Sequence, residues 1–361
     1  MDMNNITSAF LTEGRIKDIA PLGNGLINDT YKVTTEGSSP DYVLQRINHA
    51  IFTDVELLQR NIEAVTGHIR KKLEEQGETD VERKVLRFVK THDGHTWHRD
   101  EEGNFWRMSV FIPRARTFET VDPTYSRFAG QAFGHFESML TDLEQPLGET
   151  IPDFHNMELR IRQLREAVSA DAAGRVKEVQ DLLESIGQHT DEMCRAEQLH
   201  REGLLPKRIC HCDTKVNNMM FDEDGRVLCV IDLDTVMPSF VFSDFGDFLR
   251  TAANPVAEDS PELEKIDFRM DIFCAFTEGY LSSARSFLTP LELENLPYAA
   301  RLFPFMQCVR FLADYINGDT YYKIQYPDHN LVRARNQMRL FESASLHEQE
   351  MKSFVEECLS R

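Results

Sequence analysis

The sequence predicts an α+β protein with a β-rich N-terminal lobe and a mainly helical C-terminal lobe. Short β-type runs separated by turn residues concentrate before Pro113, whereas long amphipathic patterns dominate after it. The chain has 361 residues, which is enough for about two domains. We therefore expect one lobe over residues 1–112 and a second over residues 113–361.

Composition excludes several classes of protein. Hydrophobic residues make up 41% of the chain, too many for a disordered protein. The 40 basic and 60 acidic residues give a net charge of −20, which argues against a broad nucleic-acid or anionic-membrane surface. The start, MDMNNITSAF, lacks a signal-peptide pattern, and no run of about 18 apolar residues occurs. We expect a cytoplasmic protein with seven free cysteines, and the oligomeric state stays open.

The first lobe begins with a strand, a glycine turn and a strand over residues 15–35. A third β-type run follows in DYVLQRINHAIF, and helical periodicity then runs through VELLQRNIEAVTGHIRKKLEEQ. Two more apolar runs, KVLRFVK and NFWRMSVFI, are separated by the turn-rich THDGHTWHRDEEG. These elements predict a small antiparallel sheet with one helix.

The second lobe alternates long helical patterns with one strand-rich segment. Amphipathic helices are expected over residues 124–144 and 157–201, and short strands within 208–236. The chain is helical again in LEKIDFRMDIFCAFTEGYLSS, LFPFMQCVRFLADYI and SASLHEQEMKSFVEECL. The polar residues of interest concentrate in the strand-rich segment.

The segment ICHCDTKVNNMMFDEDGRVLCVIDLDT, residues 209–235, carries the strongest chemical pattern. MMF and VLCVID are two short strands joined by the turn DEDG, so a hairpin brings their outer ends together. Asp213 and Asn218 precede the first strand, and Asp232 ends the second. These oxygen ligands suit Mg²⁺ and phosphoryl transfer. The alternative is a buried hairpin whose polar ends have no function.

This segment resembles the catalytic loop of the aminoglycoside phosphotransferase and choline kinase superfamily. The resemblance implies a two-lobed protein-kinase-like fold with ATP in the cleft between the lobes. It also implies Asp213 as the catalytic base, Lys215 near the transferred phosphate, and Asn218 with Asp232 as Mg²⁺ ligands. The residues H-x-D-x-K-x-x-N followed by I-D match the superfamily pattern in full.

Two further acidic residues lie close to this pattern. Strand alternation puts Asp234 on the same face as Asp232, so Asp234 is expected to support the metal segment rather than to bind the metal. The tetrapeptide DFGD at residues 244–247 invites a metal-binding interpretation, but Asp232 already fills that position. Asp244 instead resembles the superfamily's structural aspartate, which braces the catalytic loop from a helix.

The nucleotide is expected under LGNGLINDTY, residues 22–31. Gly23, Asn24 and Gly25 form a turn in which backbone amides can approach phosphate oxygens, and Thr30 lies in the strand that follows. A plain hairpin turn is the alternative for the two glycines. No G-x-x-x-x-G-K-[ST] motif occurs, which excludes a P-loop fold.

The third strand departs from the superfamily pattern. Kinase-like folds place a basic residue there, and this chain offers Gln45 beside Arg46. Adjacent strand residues point to opposite faces, so the sequence leaves open which of the two faces the phosphates. We expect Arg46 to serve as the phosphate ligand. Glu63 on the following helix is a candidate partner, and an exposed helix acid is the equal alternative.

Three stretches together resemble a narrower family, the N-acetylhexosamine 1-kinases. They are GNGLINDTYKV, HCDTKVNNMMFD with IDLDTVMPSFVFSDFGD, and RFLADYINGDTYYKIQYPDHNLVRAR. By this resemblance Arg310 and Tyr321 contact the sugar. From the residues alone, Arg310 is as readily paired with Asp314 one helical turn away, and Tyr321 is as readily a packing residue of a loop.

The resemblance implies an ATP- and Mg²⁺-dependent kinase that phosphorylates the anomeric hydroxyl of N-acetylglucosamine or N-acetylgalactosamine. It does not rank these sugars. One alternative keeps the fold and changes the acceptor to choline, homoserine, an aminoglycoside or a fructosamine. Another is a non-catalytic nucleotide-binding regulatory protein.

Overall fold

The computed structural model describes residues 3–23, 27–119 and 121–361, and it confirms the α+β class. An antiparallel sheet forms from the N-terminal region, and helices dominate after it. The strands are β1 (Ile16–Pro21), β2 (Asp29–Thr35), β3 (Tyr42–Ile47), β4 (Trp97–Arg99), β5 (Phe105–Val110), β6 (Arg208–Cys210), β7 (Met219–Phe221), β8 (Val227–Val230) and β9 (Met237–Ser239). The helices are α1 (Met3–Ser8), α2 (Val55–Glu75), α3 (Val81–Lys84), α4 (Pro123–Met139), α5 (Met157–Ala170), α6 (Gln180–Met193), α7 (Arg195–Arg201), α8 (Phe242–Ala252), α9 (Met270–Ala284), α10 (Pro290–Glu294), α11 (Leu296–Ile316), α12 (His329–Leu346) and α13 (Glu348–Ser360).

The chain divides into two compact units. The first comprises Met1–Thr117, Asp142–Pro152 and Met219–Met237, and the second comprises Phe118–Thr141, Asp153–Asn218 and Pro238–Arg361. The hairpin β7–β8 thus belongs to the first unit, although the residues that directly precede it, 153–218, belong to the second.

The first unit is built on a five-stranded sheet in the order β1-β2-β3-β5-β4. Its core includes Val33, Leu44, Trp106 and Met108, all inaccessible to solvent, because alternate side chains of these strands point to one face. Thr30 pairs with Gln45, and Gln45 pairs with Arg107, so these three residues form a row across β2, β3 and β5.

One expected strand is wrong and one strand was missed. Residues 84–90 were expected as a strand but form only an isolated bridge, Phe88 with Ser109. The turn-rich segment instead contains β4. The physical reason is that β3 pairs with one edge of β5 and two segments share the other edge. β4 pairs with residues 105–107, and the backbone of residues 87–89 bonds residues 108–110.

The second unit is a helical assembly in which α4 and α9 approach each other unusually closely. A Cβ atom at Gly130 would lie 2.1 Å from the Phe276 carbonyl oxygen, and one at Gly279 would lie 2.0 Å from that of Arg127. Only glycine permits this backbone contact. α11 is buried along almost its whole length. No helix within the described ranges is both long and apolar enough to cross a membrane.

Several expected helices are interrupted. The helix expected over residues 157–201 consists of α5, a short 3-10 turn, α6 and α7. Its first break follows α5, where Asp171 adopts the left-handed conformation with φ 41°. The expected helix at 263–283 begins only at Met270, and the last helical pattern breaks at His347 between α12 and α13.

Candidate active site

The loop at residues 211–214 is anchored by the buried helix α8. The Asp244 carboxylate accepts the backbone N–H groups of His211 and Cys212, each at 2.7 Å, and Thr214 Oγ1 donates to the Asp244 carbonyl at 2.8 Å. Cys212 adopts the left-handed conformation with φ 63°, which places consecutive amides on one carboxylate. These contacts confirm the bracing role predicted for Asp244.

A second aspartate of the same helix holds the next residue of the loop, and sequence reasoning missed it. Asp247 Oδ2 accepts the Thr214 N–H at 3.1 Å, and its Oδ1 accepts from Arg250 Nε at 3.2 Å. Burial raises the pKa of Asp247, while the Arg250 charge opposes that rise. Asp244 and Asp247 are three residues apart, so both lie on one face of the helix. This spacing is the sequence signal from which the role of Asp247 could have been predicted.

Asp213 lies at the exposed end of this loop with its predicted neighbours. Lys215 Nζ lies 2.5 Å from Asp213 Oδ1. Asn218 Nδ2 donates to the Asp213 carbonyl at 2.8 Å and reaches Oδ2 at 3.4 Å. Burial acts to lower the pKa of Lys215, but the charges of Asp213 and Asp247 outweigh it and raise that pKa. Lys215 is therefore a cation, and the Asp213 side chain is 23% exposed to an incoming acceptor.

The predicted hairpin is confirmed. β7 pairs with β8, with Met219 opposite Val230. Residues just before Met219 and just after Val230 consequently leave the hairpin at the same end. Asp232 lies there in the left-handed conformation, with φ 60°. Asn218 uses its amide nitrogen toward Asp213, and its Oδ1 has no hydrogen-bond partner among the described residues. An amide oxygen and a carboxylate are each the kind of hard oxygen ligand that Mg²⁺ prefers.

Residues 233–235 form a 3-10 turn rather than a strand. The expectation that strand alternation puts Asp234 on the same face as Asp232 is therefore wrong. The Asp234 carboxylate is buried and fully engaged. One oxygen pairs with the Arg107 guanidinium, and the other accepts from Asn28 Nδ2 at 2.7 Å. The Thr150 hydroxyl donates to its carbonyl at 2.9 Å. This arrangement leaves Asp234 to fix the segment that carries Asp232.

The predicted nucleotide loop is described in part. Gly23 has φ +69°, a conformation that favours glycine, and a Cβ atom there would meet no atom within 4 Å. Leu22 N–H donates to the Thr30 carbonyl at 2.8 Å, which closes the loop. Asn24 and Gly25 lie outside the described residues.

The third-strand residues do point to opposite faces. Arg46 pairs with Asp29, and both side chains are nearly half exposed. Gln45 lies on the other face, where its Nε2 approaches Thr30 Oγ1 at 3.3 Å and its Oε1 accepts from Arg107 Nε at 2.9 Å. Glu63 accepts from Thr96 Oγ1 at 2.5 Å. Sequence reasoning missed Arg107, whose only signal is a charge between Trp106 and Met108 in an apolar strand.

Arg310 is not paired with Asp314. The Asp314 carboxylate instead accepts the backbone N–H groups of Thr320, Tyr321 and Tyr322 at 2.8–2.9 Å, and Asn330 Nδ2 at 2.9 Å. It therefore shapes the turn that follows α11. The salt-bridge alternative for Arg310 is excluded by this geometry.

The Arg310 guanidinium lies between aromatic rings. Its centre is 5.4 Å from the Phe154 ring and 5.7 Å from the Tyr322 ring, and Nη1 donates to Gln307 Oε1 at 3.1 Å. Tyr321 is 65% exposed, and its ring meets the Tyr322 ring edge-on at 4.8 Å. An exposure this large means that Tyr321 is not a packing residue.

Positive charge accumulates around Arg310. Burial, followed by the charges of Arg310, Arg160 and Arg250, holds the pKa of His155 well below its usual value. Burial and the Arg310 charge lower the pKa of Arg160 to about 10. Arg250 in turn pairs with Asp247, which holds Thr214 next to Asp213. Charged residues of the second unit thus extend from Arg310 and Arg160 to the loop at residues 211–214.

The sequence matches the profile of the phosphotransferase enzyme family, APH, over residues 18–269. The chain belongs to this family. That span includes the glycine loop, the third strand, the 211–218 loop and the hairpin that carries Asp232. The prediction of a phosphotransferase of this superfamily is therefore confirmed.

Solved structures of other phosphotransferases have the same fold. An aminoglycoside phosphotransferase from Alicyclobacillus acidocaldarius is 12% identical and superposes with a TM-score of 0.62, covering 99% of this chain and 97% of its own. A spectinomycin phosphotransferase solved with ADP and spectinomycin is 14% identical, with a TM-score of 0.58 and coverages of 96% and 98%. An ethanolamine kinase from Plasmodium vivax is 12% identical, with a TM-score of 0.53 and coverages of 90% and 81%. The kinase-like fold of this phosphotransferase is thus confirmed.

Proposed function

We propose that this phosphotransferase is an N-acetylhexosamine 1-kinase, which transfers the γ-phosphoryl group of Mg-ATP to the anomeric hydroxyl of N-acetylglucosamine or N-acetylgalactosamine. The product is the sugar 1-phosphate. The observation that carries the proposal is the Asp314-shaped turn, which leaves Arg310 without an acidic partner among the described residues and Tyr321 exposed. A guanidinium and an aromatic ring suit the oxygens and the apolar face of a sugar.

Asp213 is the catalytic base in this proposal. Its carboxylate is partly exposed, and its backbone carbonyl is fixed by Asn218. It orients the acceptor hydroxyl and takes its proton as the bond to phosphorus forms. Lys215, kept cationic by Asp213 and Asp247, offsets negative charge on the transferred group. Catalysis rests on positioning and charge neutralisation, so the rigid anchoring of the loop by α8 is part of the mechanism.

ATP and Mg²⁺ are the proposed co-substrate and metal. The related spectinomycin phosphotransferase was solved with ADP, which supports an adenine nucleotide here. Asn218 and Asp232 would hold the metal through oxygen atoms, and the metal would neutralise charge on the phosphates when bound. Asp234 fixes the segment from which Asp232 extends.

The charge around Arg310 separates this proposal from the cationic acceptors. Spectinomycin, other aminoglycosides, choline and ethanolamine carry amino or ammonium groups that would meet Arg310 and Arg160. Like charges at short range cost free energy, most strongly where both groups are partly removed from water. A neutral sugar avoids that cost. Homoserine and fructosamine, which also carry amines, are disfavoured for the same reason.

The test is a comparison of acceptors by their kcat/KM values, read as ADP release. N-acetylglucosamine and N-acetylgalactosamine are expected to exceed choline, ethanolamine, homoserine and spectinomycin by at least 100-fold. The matched variant Arg310→Gln removes the charge while keeping hydrogen-bonding groups, and it should lower the sugar value selectively. Higher turnover of a cationic acceptor would contradict the proposal. Nucleotide binding without turnover of any acceptor would favour the regulatory alternative.

A further inference from the structure

The sheet of the first unit carries a buried cation that the phosphotransferase pattern does not assign. Arg107 on β5 is 3% exposed and lies opposite Gln45, the neighbour of the exposed Arg46 on β3. Arg107 Nε donates to Gln45 Oε1 at 2.9 Å, and Gln45 reaches the Thr30 hydroxyl. The cation thus lies on the face of the sheet where the third strand offers only a neutral amide.

The same cation is tied to the glycine loop and to the metal segment. Arg107 pairs with the buried Asp234 carboxylate, two residues after Asp232. The other oxygen of Asp234 accepts from Asn28 Nδ2 at 2.7 Å, and Asn28 Oδ1 accepts the Asn48 N–H at 2.9 Å. Asn28 belongs to the predicted nucleotide-binding segment, residues 22–31. Arg107 is therefore linked to this segment through Asp234.

Stability alone is a weak reason for such a pair. Removing two charges from water costs free energy, and well-packed apolar residues of similar volume are often at least as stable. Arg107 makes two contacts through Nε and Nη1, whereas a guanidinium carries five N–H groups. Donors remain for an anion, and two oxygens of a phosphate group can accept both N–H groups of an arginine fork.

We propose that Arg107 binds the phosphate groups of the nucleotide from β5, in place of a basic residue on the third strand, and that Asp234 is the positioning residue that holds its guanidinium. This inference rests on the proposed use of ATP. It assigns Arg46 no phosphate contact, because Arg46 lies on the opposite face and pairs with Asp29.

The experiment measures nucleotide affinity by titration calorimetry without any acceptor. Arg107→Gln alone leaves Asp234 unpaired and is liable to unfold, so the main variant is Arg107→Gln with Asp234→Asn, which removes both charges at constant shape. Its Kd for Mg-ATP and for Mg-ADP should rise at least tenfold, while its Kd for adenosine stays within twofold of wild type. The Kd of Arg107→Lys for Mg-ATP should lie between the values of wild type and of the double variant. Lysine keeps the positive charge but lacks the paired N–H groups of the guanidinium.

Each other outcome decides against the inference. A double variant that binds ATP as wild type does would show that Arg107 has no phosphate contact. Equal losses for ATP and adenosine would assign the pair a purely structural role. A larger loss of ATP affinity in Arg46→Gln than in the double variant would return the phosphate contact to the third strand. If the wild-type chain bound no adenine nucleotide, the proposed function itself would fail, and this inference with it.

Discussion

Tyr321 and Tyr322 are adjacent residues with different environments, and the difference follows from Asp314. One carboxylate accepts both of their N–H groups, which fixes the backbone and turns the two rings apart. Tyr322 is directed inward, where its hydroxyl accepts from Gln307 Nε2 at 3.1 Å and burial raises its pKa. Tyr321 is directed outward beside it. The pair offers a matched comparison of a binding and a packing role.

Tyr321→Phe is expected to lower kcat/KM for the N-acetylhexosamine several-fold to about tenfold, because a hydrogen bond to a neutral group contributes roughly 0.5–1.5 kcal/mol. KM for ATP should hardly change. Tyr322→Phe should lower the melting temperature instead, since it removes the hydroxyl that accepts from half-buried Gln307. Steady-state kinetics and thermal melts of both variants check this. A Tyr321→Phe enzyme with normal sugar kinetics would remove Tyr321 from the acceptor site.

Asp213 and Asp244 provide a second comparison between residues. Asp213→Asn should leave the melting temperature and ATP affinity almost unchanged and lower kcat by several orders of magnitude, since a base acts on the chemical step. Asp244→Asn should lower the melting temperature, because one of its two carboxylate acceptors for the His211 and Cys212 N–H groups is lost. Near-normal kcat in Asp213→Asn would refute its role as the base.

One contact between helices α5 and α7 is expected to make the stability of the fold depend on pH. Glu197 on α7 accepts the N–H of Met157, the first residue of α5, at 2.5 Å, while its other carboxylate oxygen is buried without a hydrogen-bond partner. Burial raises the pKa of Glu197 to about 7. The unfolded chain releases this proton near its ordinary pKa of 4.5, so folding above that pH requires proton uptake or an ionised buried carboxylate. The native state therefore loses stability between pH 4.5 and 7.

Glu197→Gln removes that ionisation and keeps an acceptor for Met157. The variant should melt close to wild type at pH 4.5, and its advantage should grow up to pH 7 and then stay level. The plateau corresponds to a few kcal/mol at most, on the order of 1.4 kcal/mol per unit of pKa shift. Melting curves of both proteins from pH 4.5 to 8.5 measure this. An advantage that is independent of pH would show that Glu197 stays ionised in the native state.

Elements with strong local signals were predictable from the sequence, and elements set by distant partners were not. Asp54 caps α2 by accepting the Leu57 N–H at 2.8 Å, and the hairpin turn lies entirely within residues 222–226. By contrast, β4 forms because it can pair with the edge of β5. Arg107 can be buried because it pairs with Asp234, which is 127 residues away in the sequence. No pattern within a short window contains such a partner. Asp213, Asn218 and Asp232 could be predicted together because one short segment holds them all.

At the scale of the molecule, a net charge of −20 coexists with local positive charge at functional positions. Arg107 lies in the sheet of the first unit, and Arg310 with Arg160 lies in the second. Because the general field repels anions, we expect binding of a phosphate-bearing nucleotide to depend on local cations such as Arg107 and on a divalent metal. High salt should therefore weaken the surface repulsion more than these partly buried contacts.

Metal dependence is expected of the whole enzyme. Excess EDTA should abolish phosphoryl transfer, and Mg²⁺ or Mn²⁺ should restore it, since Asn218 and Asp232 offer only oxygen ligands. Asp232→Asn should raise the Mg²⁺ concentration needed for half-maximal rate at least tenfold. Rates at graded free Mg²⁺ measure this. Full activity in excess chelator, or one tightly bound zinc ion per chain, would contradict the assignment.

The position of the new phosphate tests the central claim most directly. N-acetylglucosamine and N-acetylgalactosamine are each incubated with enzyme, ATP and Mg²⁺, and the products are examined by mass spectrometry and by proton and phosphorus NMR. The account predicts one added phosphate on the anomeric oxygen, seen as coupling between phosphorus and the anomeric proton, and no product with Asp213→Asn. Phosphate on any other hydroxyl, or inert N-acetylhexosamines beside efficient phosphorylation of a cationic acceptor, would contradict it.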